Sequence, residues 1–193
     1  MKICVFGAAS NKIDKTYIDA VERLGEEMAK RGHTLVFGAG GHGLMGAVAR
    51  GAHSCGGRII GIIPAFFRDE TIEEIFDKYD DIIYTNTMAE RITTMTNMAD
   101  AFITVPGGIG TFEEFFEIIT LKQLGRHSKP IAIFDVNDYY KKLDEFLQFS
   151  VEEKFISEKC RTLYDYSKNI DEILDYIEGD DRIVKDVHEL KFG

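Results

Sequence analysis

Short apolar runs alternate along the chain with longer segments in which apolar residues recur at helical spacing. The short runs, rich in β-branched and aromatic residues, predict seven strands, at 2–6, 34–37, 59–63, 82–84, 101–105, 130–134 and near 162–164. Helices are predicted between and after them, at 18–28, after the turn 38–46 through Cys55, at 88–98, at 112–124, from about 138 and at 170–177. The stretch 65–80 shows no regular pattern.

Strands and helices that alternate in this way predict a parallel sheet with right-handed crossovers. We therefore expect an α/β fold, a Rossmann-like doubly wound sheet of about seven mainly parallel strands with helices on both faces. The chain has 193 residues, which favours a single nucleotide-binding domain over 1–193. Such sheets bind ligands at the carboxyl ends of their strands, where the strand order reverses.

Two glycine-rich turns, at 38–46 and 106–111, each lead from a strand into a helix. Both lie at carboxyl ends of strands, so they are expected to converge on one crevice, bordered also by the first turn, 7–10. Glycine allows a close backbone approach, and the first turn of a helix leaves N–H groups unpaired with a partial positive charge. The turn at 106–111 therefore predicts an anionic ligand such as a phosphate.

The same turn has a purely structural interpretation. Thr111 and Glu114 have the spacing of a capping box, in which both side chains satisfy N–H groups at the start of a helix. The three glycines before them and the second acidic residue, Glu113, favour a binding site instead.

Composition excludes several classes of function. The net charge is −10 and no Lys/Arg-rich run occurs, which argues against nucleic acid as a partner. The three cysteines and the lone histidines, such as His127, show no metal-ligand spacing, so no metal is expected. The chain begins with a strand-like segment in place of a signal peptide, and no apolar stretch approaches about 20 residues. These features predict a cytoplasmic protein without a membrane partner.

The segment from Pro106 to Glu114 matches the P-G-G-x-G-T-x-x-E signature of the LONELY GUY family, the cytokinin-activating nucleoside 5′-monophosphate phosphoribohydrolases formerly described as lysine decarboxylases. Further segments, at 43–46, 61–64, 88–95 and 123–130, follow in family order. The chain thus resembles the family over about 2–155 and leaves a C-terminal helix and tail at 166–193.

The resemblance implies hydrolysis of the N-glycosidic bond of a cytokinin or purine nucleoside 5′-monophosphate, such as AMP or N6-modified AMP, without a cofactor. It implies that Arg91 and Glu114 are the catalytic pair, because a carboxylate near the anomeric carbon stabilises the positive charge that develops on the ribose. It also implies a homodimer or higher homo-oligomer with a site completed across subunits. The predicted substrate-binding residues are Ser10, Gly40, Gly41, Met45, Met88, Pro106, Gly107, Gly108, Gly110 and Thr111.

The chain departs from the family pattern in two places. Ile92 stands where the family usually has lysine, and 8–10 reads Ala-Ala-Ser instead of Gly-Ser-Ser, so phosphate affinity or base preference is expected to differ. A non-catalytic nucleotide- or cofactor-binding carrier of the same fold is the alternative, although Arg91 with Glu114 favours an enzyme. The first turn lacks G-x-G-x-x-G, which argues against a dehydrogenase, and neither glycine turn offers the lysine that pyridoxal phosphate chemistry needs.

Overall fold

A computed structural model describes residues 1–69, 74–179 and 187–192. Its strands are β1 (Lys2–Phe6), β2 (Thr34–Phe37), β3 (Ile59–Pro64), β4 (Asp81–Thr85), β5 (Ala101–Thr104), β6 (Ile131–Phe134) and β7 (Asp165–Ser167). Its helices are α1 (Lys15–Lys30), α2 (Gly43–Ser54), α3 (Ala65–Asp69), α4 (Met88–Met98), α5 (Ile109–Gln123), α6 (Lys141–Glu152), α7 (Ile170–Gly179) and α8 (Val187–Phe192). None of the helices in these ranges has the length and apolar character needed to span a bilayer.

The seven strands form one sheet in the order β4-β3-β2-β1-β5-β6-β7, and every neighbouring pair is parallel. The order reverses at β1, where Ile3 pairs with Leu35 of β2 on one side and with Ala101 of β5 on the other. The predicted doubly wound α/β fold is confirmed. The crevice expected at the reversal lies beyond the carboxyl ends of β1 and β5.

The core has two layers, one on each face of the sheet. Along β1, Ile3 and Val5 pack into one hydrophobic cluster with α1, α2 and α7, whereas Cys4 and Phe6 pack into the other with α4 and α5. Side chains of successive strand residues point to opposite faces, so a strand covered on both sides reads as a continuous apolar run. Burial on both faces thus explains the apolar runs in the sequence.

The structure corrects two sequence predictions. The last strand is Asp165–Ser167, and the segment predicted to form it instead ends a short 3-10 helix, Glu158–Thr162. Leu163 is buried in a small separate cluster with Cys160 and Leu190, so its apolar character reflects that cluster and not the sheet. The region predicted to be irregular contains the short helix α3. Of the predicted C-terminal tail, 180–186 and 193 lie outside the described residues.

Candidate active site

Helix α4 carries Arg91 in its first turns. Thr87 caps the helix by accepting a hydrogen bond from the Glu90 N–H (3.1 Å), and the Glu90 carboxylate accepts one from the Asn86 N–H (2.8 Å). This reciprocal arrangement resembles a capping box. The Arg91 Nε donates to the carbonyl of Ile62 in β3 (3.2 Å), which holds the guanidinium across the carboxyl end of the sheet.

Helix α5 carries Glu114, and the capping-box interpretation of this residue is wrong. The N-cap is Gly108 in an extended conformation, and the Phe112 N–H donates to the Gly108 carbonyl (3.0 Å). Thr111 is therefore the third residue of the helix, and Glu114 lies in its second turn, beyond the reach of a capping side chain. Glu114 is nevertheless buried, so its position requires another explanation.

Arg91 and Glu114 face each other as an ion pair. The Arg91 Nη1 lies 3.3 Å from the Glu114 Oε1, and the two side chains are 13% and 10% exposed. Gly38, at the end of β2, leaves the room for this contact, because a Cβ atom there would lie 1.9 Å from the Arg91 Nη2. Any larger residue at position 38 would therefore have to displace the Arg91 guanidinium from its place beside Glu114.

The ion pair borders a cavity of about 70 Å³ at the carboxyl ends of the central strands. Its lining combines the pair with residues from β1 and the turn after it and from the turn after β2 and the start of α2: Val5, Gly7, Ala9, Gly38, Gly40, Met45, Arg91 and Glu114. Cys4 lies close by, and burial, followed by the Glu114 carboxylate, raises the pKa of its thiol well above the usual range. The thiol is therefore protonated and unsuited to act as a nucleophile.

The turn after β2 is held in a strained conformation. Ala39 has a φ of 64° although it is not a glycine, and its carbonyl accepts a hydrogen bond from the Phe76 N–H (2.9 Å). The Gly41 N–H donates to the Glu74 carbonyl (2.7 Å) and is therefore not available to a ligand. Left-handed backbone at a non-glycine residue is costly and tends to persist at functional sites.

The turn before α5 presents a row of backbone donors. Within the described residues, the N–H groups of 107–111 donate to no backbone carbonyl, as expected for a helix start. Together with the helix dipole they favour an anion. A second cavity, of about 300 Å³, adjoins this turn and is lined by Ala8, Ser10, Ile13, Asp14, Tyr17, Leu44, Pro106, Gly107, Gly108 and Tyr139.

Comparison with known proteins identifies the family. The profile of the family described as "Possible lysine decarboxylase" matches residues 45–177. The cytokinin riboside 5′-monophosphate phosphoribohydrolase LOG2 of Arabidopsis thaliana is 38% identical over 92% of this chain and 82% of its own length. LOG3 of the same plant is 40% identical over 84% of this chain and 74% of its own length. The chain belongs to the LONELY GUY family.

Two solved structures of other proteins share the fold of this LONELY GUY protein. The molybdenum cofactor carrier protein of Chlamydomonas reinhardtii superposes with a TM-score of 0.69 at 20% identity, covering 92% of this chain and 95% of its own. The molybdenum cofactor binding protein of Rippkaea orientalis gives the same TM-score and identity, with 92% and 94% covered. At this level of identity the likeness shows the shared fold alone.

The structure brings most predicted site residues of this LONELY GUY protein into two adjoining cavities. Arg91, Glu114, Gly40 and Met45 line the smaller cavity, while Ser10, Pro106, Gly107 and Gly108 line the larger one. Thr111 is buried against Gly107, where an added Cβ would lie 2.1 Å from the Thr111 Oγ1. The remaining three line neither cavity: Gly41, the half-buried Met88 and the exposed Gly110. The roles of all these residues stay predictions.

Sequence reasoning missed Gly38 and Tyr139 as individual site residues. Gly38 belongs to the glycine-rich turn that was singled out, and its position directly after a strand is the signal that would have identified it. No sequence signal identified Tyr139, whose hydroxyl reaches the Gly107 carbonyl. His127 lies outside both cavities, with its Nε2 bonded to the Ile118 carbonyl (2.9 Å). No cluster of candidate metal ligands occurs in the described ranges.

Proposed function

We propose that this protein hydrolyses the N-glycosidic bond of a nucleoside 5′-monophosphate, releasing the free base and ribose 5-phosphate. The observation that carries the proposal is the almost buried Arg91–Glu114 pair, 3.3 Å apart, in a cavity that Glu114 borders from the second turn of α5. The family supports it, since relatives at 38% and 40% identity are named cytokinin riboside 5′-monophosphate phosphoribohydrolases.

Each part of the site has a task in this reaction. The N–H groups at the start of α5 hold the 5′-phosphate, which places the ribose beside Glu114. As the C1′–N bond breaks, its electron pair goes to the base and positive charge develops on the ribose, which the Glu114 carboxylate stabilises. A water molecule adds its hydroxyl group to C1′, and its other proton goes to the base.

Arg91 has two tasks in this proposal. Its ion pair with Glu114 holds the carboxylate in place while both side chains are almost buried. Its remaining guanidinium N–H groups are available to the departing base or to the phosphate. The Ile62 carbonyl, which accepts from the Nε, fixes the direction of the guanidinium plane.

AMP and N6-modified AMP are the proposed substrates, and the 5′-phosphate is required. The N–H groups at the start of α5 have little to offer a neutral 5′-hydroxyl, whereas each hydrogen bond to a charged oxygen contributes about 1.5–3 kcal/mol. We expect kcat/KM for adenosine to be lower than for AMP by at least about 10²-fold. The assay measures ribose or ribose 5-phosphate release from AMP, N6-isopentenyl-AMP and adenosine, and equal kcat/KM for adenosine and AMP would contradict this placement.

The same assay tests a carrier function. A carrier of a nucleotide or cofactor would need the glycine turn, but it would have no use for a buried carboxylate beside the ribose. Tight binding of AMP without release of ribose 5-phosphate from any monophosphate would favour the carrier. No added metal or cofactor is needed in this proposal, so treatment with a chelator should leave the activity unchanged.

We propose that the chain is one cytoplasmic domain that assembles as a homodimer. Large apolar side chains on α5, on α6 and just after α6 are exposed: Ile109 (88%), Phe116 (39%), Phe146 (61%), Phe149 (54%) and Phe155 (86%). Phe116 and Phe155 line one cavity, and exposed apolar side chains that lie together favour an interface between proteins. Light scattering that gave the mass of the 21.8 kDa monomer for the fully active protein would contradict the dimer.

A further inference from the structure

Three successive carbonyl groups of the turn before α5 are bound by donors from outside the turn. The Tyr140 hydroxyl donates to the Val105 carbonyl (2.8 Å), the Ala8 N–H to the Pro106 carbonyl (3.1 Å) and the Tyr139 hydroxyl to the Gly107 carbonyl (2.5 Å). The C=O and N–H of a trans peptide point in opposite directions. The Tyr139 bond therefore turns the N–H of the next residue, Gly108, away from Tyr139.

The segment that delivers Tyr139 is rigidly built. Asn137 and Asp138 both have left-handed backbone, with φ of 56° and 59°, although neither is a glycine. Asp135, which is fully buried, accepts hydrogen bonds from the Tyr140 N–H (2.8 Å) and the Tyr166 hydroxyl (2.5 Å). Two consecutive strained residues persist only when their surroundings hold them, so the position of Tyr139 is strongly determined by the fold.

We infer that Tyr139 is a positioning residue for phosphate binding: by holding the Gly107 carbonyl, it aims the Gly108 N–H at the phosphate site. The inference rests on the proposed function, in which the turn before α5 holds the 5′-phosphate. Gly108 is the N-cap of α5 and its peptide has no side chain to brace it. Without the Tyr139 hydroxyl, the peptide between Gly107 and Gly108 rotates easily, because it is flanked by glycines. The Gly108 N–H would then no longer have a fixed direction.

Tyr140 provides an internal contrast. It makes the equivalent hydrogen bond to the Val105 carbonyl, but the next residue is Pro106, whose nitrogen carries no hydrogen. The Tyr140 bond therefore cannot orient a donor for a ligand. Tyr140 is also fully buried, whereas Tyr139 is 43% exposed, so the hydroxyl of Tyr140 contributes mainly to stability.

The test compares three tyrosine-to-phenylalanine variants, each of which keeps its ring and loses its hydroxyl. For Tyr139→Phe we expect the Kd for ribose 5-phosphate, measured by calorimetry, to rise by about three- to tenfold. KM for AMP should rise by a similar factor with kcat changed less than about twofold, because the interaction acts on ground and transition states alike. Tyr140→Phe should lower Tm and leave this Kd within about twofold of the unsubstituted value.

Tyr79→Phe is the matched control, since Tyr79 is also partly exposed, at 36%, but lines neither of the two site cavities. It should change neither Kd nor Tm. A Tyr139→Phe protein with unchanged Kd, or a larger Kd increase in Tyr140→Phe, would overturn the inference and leave the proposed function intact. An unsubstituted protein that binds ribose 5-phosphate but hydrolyses no monophosphate would refute the proposed function alone. Failure of the unsubstituted protein to bind ribose 5-phosphate would overturn the inference.

Discussion

Replacing Glu114 by glutamine separates a catalytic carboxylate from a merely structural one. In the unsubstituted protein the Arg91 Nη1 lies 3.3 Å from the Glu114 Oε1. Glutamine keeps the size of the side chain and an oxygen that can accept a hydrogen bond from this nitrogen, but it removes the negative charge. The helix start should be unaffected, because Gly108 is the N-cap of α5 and Glu114 lies in the second turn. Any large loss of turnover must therefore come from the missing charge.

The expected loss of activity is large. A unit charge about 3.5 Å from a cationic ribose, at an effective dielectric constant of about 20, contributes about 5 kcal/mol. Removal of a single group that stabilises transition-state charge typically lowers kcat by less than this energy would allow, by about 10²- to 10³-fold. We therefore expect Glu114→Gln to lower kcat for AMP by about 10³-fold.

The expected loss of stability is small by comparison. Breaking a fully buried ion pair costs about 3–5 kcal/mol, but glutamine retains a hydrogen-bonding partner for Arg91 and both side chains keep some exposure. A loss of about 1–2 kcal/mol is reasonable, which lowers Tm by about 2–8 °C for a domain of this size. Folding and ribose 5-phosphate binding should survive.

The assay is ribose 5-phosphate release from AMP at saturating concentration, with Tm measured on the same samples. Glu113→Gln is the matched control, because Glu113 is its exposed neighbour on the same helix. It should retain kcat within about twofold and Tm within about 1 °C. A Glu114→Gln protein with kcat within tenfold of the unsubstituted enzyme would refute the role of this carboxylate, and the hydrolase proposal would then need another residue.

Three further predictions test the surroundings of the pair. Gly38→Ala should lower kcat/KM by about 10²-fold, because the alanine Cβ would lie 1.9 Å from the Arg91 Nη2 and must displace the guanidinium. An unchanged kcat/KM would show that the Arg91–Glu114 pair can shift without loss of activity. Burial lowers the pKa of His127 below 6.5, so the unfolded chain takes up more protons and stability falls as pH drops through 6.5. The Tm of the unsubstituted protein should therefore exceed that of His127→Gln by less at pH 5 than at pH 7. The same Tm difference at both pH values would contradict this prediction. A thiol reagent should label Cys55 rapidly in the folded protein and the two buried cysteines, including Cys4, only on unfolding.

The sequence predicted the fold well because parallel strands buried on both faces leave a strong pattern. The continuous apolar runs at 2–6 and 59–63 became β1 and β3, with nearly the predicted bounds. The prediction was wrong at 162–164, where burial of Leu163 came from a small cluster with residues distant along the chain. An apolar run shows that a segment is covered, but it does not show what covers it.

The site was predictable in part. The two T-x-x-E segments, 87–90 and 111–114, look alike in sequence, yet only the first caps its helix. The difference depends on where the helix begins, and Gly108 moves the start of α5 back by three residues from Thr111. Tyr139 could not be found from sequence, because its contact with the glycine turn depends on left-handed backbone at Asn137 and Asp138, which no pattern in the sequence specifies.

In the proposed function, Ile92 in place of the usual family lysine changes which groups can bind the phosphate. Ile92 is 2% exposed on α4, so the position is filled by packing and carries no charge. Among the described residues, Arg91 is the sole cation that lines the smaller cavity, and Glu114 neutralises it. A phosphate monoester carries a charge of about −1.5 to −2, which the pair cannot balance. In the proposed function this charge is met by the N–H groups and the roughly +0.5 dipole charge at the start of α5, so the orientation of each peptide in that turn should matter more than in a site with a lysine.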